Sequence, residues 1–213
     1  MSTRWAEAHG TRGIVASPHV LASEAGIAAL RRGGNAVDAA VAAATTIAVV
    51  YPHMNSIGGD SFWLIHDARR RRLVALNAAG RSAAAVDADA YRARHGATMP
   101  ERGGAAALTV PGVVSGWWEA HRLSRETLGS PLAWPDLLEH ALVHAREGFP
   151  VSPGQRRVTA QAAALFTAGA PAEVRRSFWP IYHPDRFADG RFTQPALAAT
   201  LAAVAEGGAE EFY

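Results

Sequence analysis

Cysteine is missing from these 213 residues, and so is lysine. The first absence excludes disulfide frameworks, thiolate metal centres and cysteine nucleophiles. The second leaves arginine as the whole basic complement in an alanine-rich chain. A compositional bias accounts for it, and no chemistry is read into it. Charged residues are scarce at 19%, whereas 49% of the chain is apolar, which supports one sizeable core and argues against disorder. The formal charge of +2 gives no strong basic field. Long hydrophobic runs are also absent. The longest, Ala36 to Val50, is interrupted by Asp38, Thr45 and Thr46. It is too short to span a bilayer and reads as a buried core helix. The stretch Met1 to Glu7 lacks the apolar segment of a secretory signal, so the cytoplasm is the expected location, with no membrane association.

Present instead are alternating helix and turn signals over a single expected domain, residues 1–213. Ser17-Pro18 predicts a helix start, with Leu21, Ala25, Ala28 and Ala29 on one face and a stop at Gly33-Gly34. Asn35 opens a second helix, with Asp38 in the first turn, where a carboxylate suits the helix dipole. Pro52 ends it. Residues 61–66 and 73–77 read as two strands joined by Arg69-Arg70-Arg71-Arg72 in a solvated hairpin turn. No aromatic or Gly-Arg interleaving supports a nucleic-acid patch there. Asp87 caps a helix through Arg94, residues 106–110 read as a short strand, and Pro111 opens the next helix. Helices from Pro135 to Glu147, Pro153 to Ala168 and Pro195 to Glu206 share proline starts and glycine stops. The class is α+β, dominated by helices. Glu210-Glu211-Phe212-Tyr213 follow a helix with no concluding strand, as though the chain were cut.

Candidate chemistry is sparse. His140 and His144 stand one helical turn apart beside Glu139 and Glu147, a spacing that could hold zinc, but no His-Glu-x-x-His pattern or third ligand accompanies them. An exposed helix face is the simpler reading, and neither a metal nor another cofactor is expected. Gly58-Gly59 could cradle an anion with backbone amides, but a tight loop-to-strand turn explains the pair. Trp117, Trp118, Phe178, Trp179 and Tyr182 read as core and groove filler.

Four segments stand in order: Gly33-Gly34-Asn35-Ala36-Val37-Asp38-Ala39-Ala40-Val41-Ala42, Ile57-Gly58-Gly59-Asp60-Ser61-Phe62, Val110-Pro111-Gly112-Val113-Val114-Ser115-Gly116, and Glu147-Gly148-Phe149-Pro150-Val151 with the distal 194–201 stretch. Together they resemble the γ-glutamyltranspeptidase family. Glycine pairs alone are common turn formers, so the order and spread carry the weight. The resemblance implies the front part of a large subunit of an N-terminal-nucleophile hydrolase of αββα architecture. Such a chain cuts itself to expose a threonine, whose own amine can activate its hydroxyl. γ-Glutamyl groups then pass from glutathione-like donors to water or amines.

No segment resembling the cleavage site occurs here, so no catalytic residue is assigned. The implied partners are a small γ-glutamyl substrate, the rest of the large subunit, and the small subunit that bears the threonine. Arg81, after the second strand, matches the family's carboxylate-binding arginine; its guanidinium suits a two-bond grip on a carboxylate. Ser82, Ala85 and Asp60 depart from the pattern, where the family has an acid, a proline and a glycine. A surface ion pair after a strand is the plain alternative for Arg81. For the whole chain, a non-catalytic binding module and a divergent amide acylase of the same family remain the alternatives.

Overall fold

A computed structural model describes residues 7–100, 104–107, 109–169, 172–187 and 189–213, with the side chains of 164–169, 173, 174 and 177 excepted. The stretch 1–6, most of the segment read for a leader, and Leu108, inside the expected third strand, lie outside the described residues. The elements in order are α1 (Val20–Arg31), α2 (Ala36–Val50), β1 (Ser61–Asp67), β2 (Arg72–Ala78), α3 (Ala88–His95), α4 (Val113–Leu128), α5 (Trp134–Glu147), β3 (Phe149–Pro150), α6 (Pro153–Gly169), α7 (Ala172–Ser177), α8 (Trp179–Tyr182), β4 (Arg191–Phe192) and α9 (Pro195–Gly207). Short 3-10 turns cover Gly104–Ala106, Pro184–Phe187 and Ala209–Phe212. The class is α+β, as the residue pattern implies.

The helix α2 is the axis of the packing. Its alanines let α1, α4 and α5 approach closely, and most of its residues are buried, including Asp38, Thr45 and Thr46. The core runs on through Trp117, Leu137, Leu138, Phe149, Phe192 and Leu201. Polar groups inside it are largely tied across elements. Thr45 Oγ1 donates to the Leu137 carbonyl of α5 at 2.8 Å, Trp134 Nε1 to the Val204 carbonyl of α9 at 2.8 Å, and Gln194 Nε2 to the Val49 carbonyl at 2.9 Å.

The Gly-Gly-Asn-Ala-Val-Asp signature explains itself at the α1–α2 corner. Gly33 turns the chain at φ +90, a region that favours glycine. Asn35 then caps α2: its Oδ1 accepts from the Val37 and Asp38 amides, and Asp38 Oδ2 accepts from the Asn35 amide, a complete capping box. Ser124 of α4 closes the circuit. Its hydroxyl donates to Asp38 Oδ1 at 2.8 Å and accepts from Asn35 Nδ2 at 2.8 Å. The fully buried carboxylate is therefore held by an amide and a hydroxyl, with no cationic side chain paired to it among the described residues.

Some expectations need correction. Ser17-Pro18 lies two residues too early: His19 is the cap of α1, accepting from the Leu21 amide, while Ser17 Oγ donates to the His19 carbonyl. The expected strand over 106–110 is reduced to a 3-10 turn and a single antiparallel bridge, Ser82 to Thr109. The next helix begins at Val113 instead of Pro111. A second two-stranded ladder, Phe149–Pro150 with Arg191–Phe192, was not expected. The hairpin is longer than expected, by Asp67 on the first strand and by Arg72 and Ala78 on the second, in register from Ser61 with Ala78 to Asp67 with Arg72. Its turn holds the arginine cluster: Arg71 adopts φ +50, and Arg70 pairs with Asp67 at 3.0 Å and with the Thr127 carbonyl at 2.8 Å.

Candidate substrate-binding site

The hairpin packs its inner face, Trp63 and Ile65, toward α2 and α4. Its outer face leaves Phe62 and Leu64 each 72% exposed, with Leu73 beside them at 61%. Register makes this inevitable, because alternate residues point to opposite faces. Beyond the last pair, Ser61 with Ala78, the ladder stops, yet the backbone that follows is not free. Asn77 Oδ1 accepts from the Ala79 amide at 3.0 Å, and Asp60 Oδ1 accepts from the Gly80 amide at 2.8 Å. The Arg81 carbonyl accepts from the Val110 amide at 2.8 Å, and Ser82 bridges Thr109.

The 109–116 segment that receives these bonds is itself fixed. The Gly59 carbonyl accepts from the Val113 amide at 2.9 Å. Gly112, which offers α4 no capping side chain, lies where a Cβ would fall 2.2 Å from the Ala78 carbonyl oxygen. The Tyr213 hydroxyl supplies the missing bond by accepting from the Ser115 amide at 3.2 Å, and donates to the Pro111 carbonyl at 2.7 Å. Two of the family-like segments, 57–62 and 110–116, thus meet the end of β2 around one turn, and Arg81 lies on it. The Arg81 side chain is exposed and forms no ion pair or hydrogen bond with a described residue. The surface ion pair considered above is not formed. A groove of about 260 Å³, lined by Asn55, Asp60, Phe62 and Trp117 among others, opens beside Asp60. A larger apolar cleft of about 770 Å³ lies at the opposite, arginine-rich end of the hairpin, under Trp63 and Ile65.

The other candidates fall away from this turn. Gly58 and Gly59 form a local turn, with the Gly58 amide donating to Ser56 Oγ at 3.1 Å. His140 and His144 lie 6.3 Å apart between ring centroids with their planes tilted, and burial pushes His144 below the ordinary imidazole range, followed by the neighbouring His140. Among the described residues, no group of three or more His, Asp or Glu is arranged to hold a metal. Trp117 is buried as expected, while Phe178 is an exposed ring stacked on Tyr182. No described helix is long and apolar enough to cross a membrane. What residue reasoning missed is the Asp60–Gly80 bond; the Asp60 departure was visible, but nothing in the spacing tied it to Gly80.

Comparison with known proteins converges on one family. The model of the gamma-glutamyltranspeptidase family matches residues 22–213. An oxamate amidohydrolase proenzyme from Klebsiella pneumoniae is 42% identical over 95% of this chain and 37% of its own length. A glutathione hydrolase-like proenzyme from Bacillus subtilis, YwrD, is 41% identical over 96% of this chain and again 37% of its own length. The chain thus spans little more than a third of these relatives. The crystal structure of Helicobacter pylori gamma-glutamyltranspeptidase superposes with a TM-score of 0.79 at 29% identity, covering 98% of this chain and 58% of that one.

Proposed function

Because this chain belongs to the gamma-glutamyltranspeptidase family, we propose that it forms the N-terminal part of the large subunit of an amide-cleaving enzyme whose nucleophilic threonine resides in another segment. The acyl group of a γ-glutamyl donor passes to that threonine and then to water or an amine. This chain contributes substrate recognition. The observation that carries the reading is Arg81: an exposed guanidinium, unpaired among the described residues, on a turn held by the Asp60 carboxylate on one side and the Val110 amide on the other. A planar fork of this kind grips a carboxylate through two parallel bonds. The segment alone carries no threonine in a cleavage-site-like stretch and is expected to be inactive. Its partners are the remainder of the large subunit and the small subunit, and the uncovered apolar face of Phe62, Leu64 and Leu73 gives them a surface to bury.

A second reading has support of its own. Ser82 and Ala85 depart from the γ-glutamyl pattern, and a 42% identical relative is an oxamate amidohydrolase. Oxamate also presents a carboxylate, directly bonded to the carbonyl of its amide, so Arg81 serves either substrate. The test uses the complete enzyme that carries this segment, offered a γ-glutamyl anilide and oxamate in parallel. Turnover of the anilide supports the first reading and turnover of oxamate alone the second. Cleavage of neither, by a correctly processed enzyme, refutes both.

A further inference from the structure

We infer that Asp60 is a positioning residue for Arg81, holding the turn that presents the guanidinium and thereby setting affinity for the substrate carboxylate. The inference rests on the Arg81 reading above. Twenty residues separate Asp60 from Gly80, and they meet because β1 and β2 are antiparallel with Ser61 opposite Ala78. The next rung of that ladder is not a backbone bond. The Asp60 carboxylate replaces it, accepting from the Gly80 amide at 2.8 Å, one residue before Arg81. A bond from an amide to an ionised acceptor is stronger than one between neutral groups.

The same turn is clamped from its other side. Gly80 leaves no room for displacement there, since a Cβ would fall 1.7 Å from the Val110 carbonyl oxygen. The Arg81 carbonyl is fixed one residue further along by the Val110 amide. Asp60 is therefore the side-chain half of a two-sided clamp whose other half is backbone. Removing it frees one of the two sides that fix where the Arg81 Cα sits. A long side chain that must meet a carboxylate within a few tenths of an ångström depends on that origin.

The effect should appear in substrate binding and not in the chemical step, because the carboxylate is held alike in ground and transition states. In the complete enzyme, Asp60→Ala is expected to raise KM for a carboxylate-bearing donor roughly tenfold, the worth of one good hydrogen bond, with kcat changed less than about twofold. Asp60→Asn keeps the Oδ1 acceptor and should restore most of the affinity. A donor lacking the carboxylate should be indifferent to both. In an Arg81→Ala background, Asp60→Ala should add nothing.

Equal losses on both donors would overturn the inference, as would a loss that persists in the Arg81→Ala background. An Asp60→Ala enzyme that behaves as wild type, while Arg81→Ala loses the carboxylate donor, would overturn the Asp60 role and leave Arg81 standing. If Arg81→Ala itself treats the two donors alike, both readings fall together. Thermal melting identifies a variant that does not fold. Asp60→Gly, which removes the acceptor without adding a contact, then takes its place; failure of both to fold would assign Asp60 to the fold and reject the inference.

Discussion

On the reading proposed above, Arg81 is the residue on which substrate recognition turns. With the guanidinium removed, the bound carboxylate loses its charged partner, and truncating one member of a close charge pair costs about 2–5 kcal/mol. Arg81→Ala in the complete enzyme is therefore expected to lower kcat/KM for carboxylate-bearing donors by roughly two to three powers of ten. Arg81→Lys should recover only part of the loss, because an ammonium cannot supply two coplanar donors. Steady-state kinetics with matched donors, with and without the carboxylate, checks both statements; equal losses on the two would show that Arg81 serves the fold. The place of Arg81, just after the second strand, was legible in the sequence. The bond that steadies it was not, because a contact between Asp60 and Gly80 follows from strand register, which no local periodicity encodes.

At the scale of elements, the seam between α2 and α4 is the clearest case of sequence specifying structure. Asn35 as a cap and Asp38 in the first turn were both readable, and both are realised. Ser124 was not readable as their partner, since 86 residues separate it from Asp38. Ser124→Ala takes from a buried carboxylate the only side-chain hydroxyl bonded to it among the described residues, and also strands the Asn35 amide group. The expected loss of stability is about 1–3 kcal/mol, measured by urea unfolding. Ser124→Thr, which keeps the hydroxyl, should cost less unless its methyl group clashes; equal losses would mean that packing, and not the bond, is what Ser124 provides. The misplaced elements have physical causes too. Ser17-Pro18 has good capping chemistry, but Ser17 Oγ bonds the His19 carbonyl and Ser23, so the helix starts after His19. The third strand fails because the bonds of Arg81 and Ser82 to Val110 and Thr109 end after one bridge. The β3–β4 ladder is two residues long on each side, too short to leave an alternating pattern.

At the scale of the whole molecule, four histidines share one property. Burial is the first cause holding His19, His53, His121 and His144 below the ordinary imidazole value of 6.5. For His121 the opposing pull of Asp38 is smaller than the burial effect, and Arg125 works against it. A depressed value means that the folded chain binds fewer protons than the unfolded one. Their contribution is thus complete above about pH 6.5 and is lost as the pH falls below it. Urea unfolding at pH 7.5 and pH 5.5 should show the weaker fold at the lower pH, and His121→Phe should flatten that slope. A stability independent of pH across this interval would refute the expectation. The seam at Asp38 has another consequence at this scale. Mobile ions shield charges that face solvent over about 8 Å at physiological ionic strength and about 3 Å at 1 M. Arg32, bridging α1 to Asp136 and Glu139 of α5, is open to them. Asp38 is not, because its charge rests on dipoles inside the protein. Concentrated electrolyte should therefore slacken the α1–α5 edge first and leave the α2–α4 seam as it was.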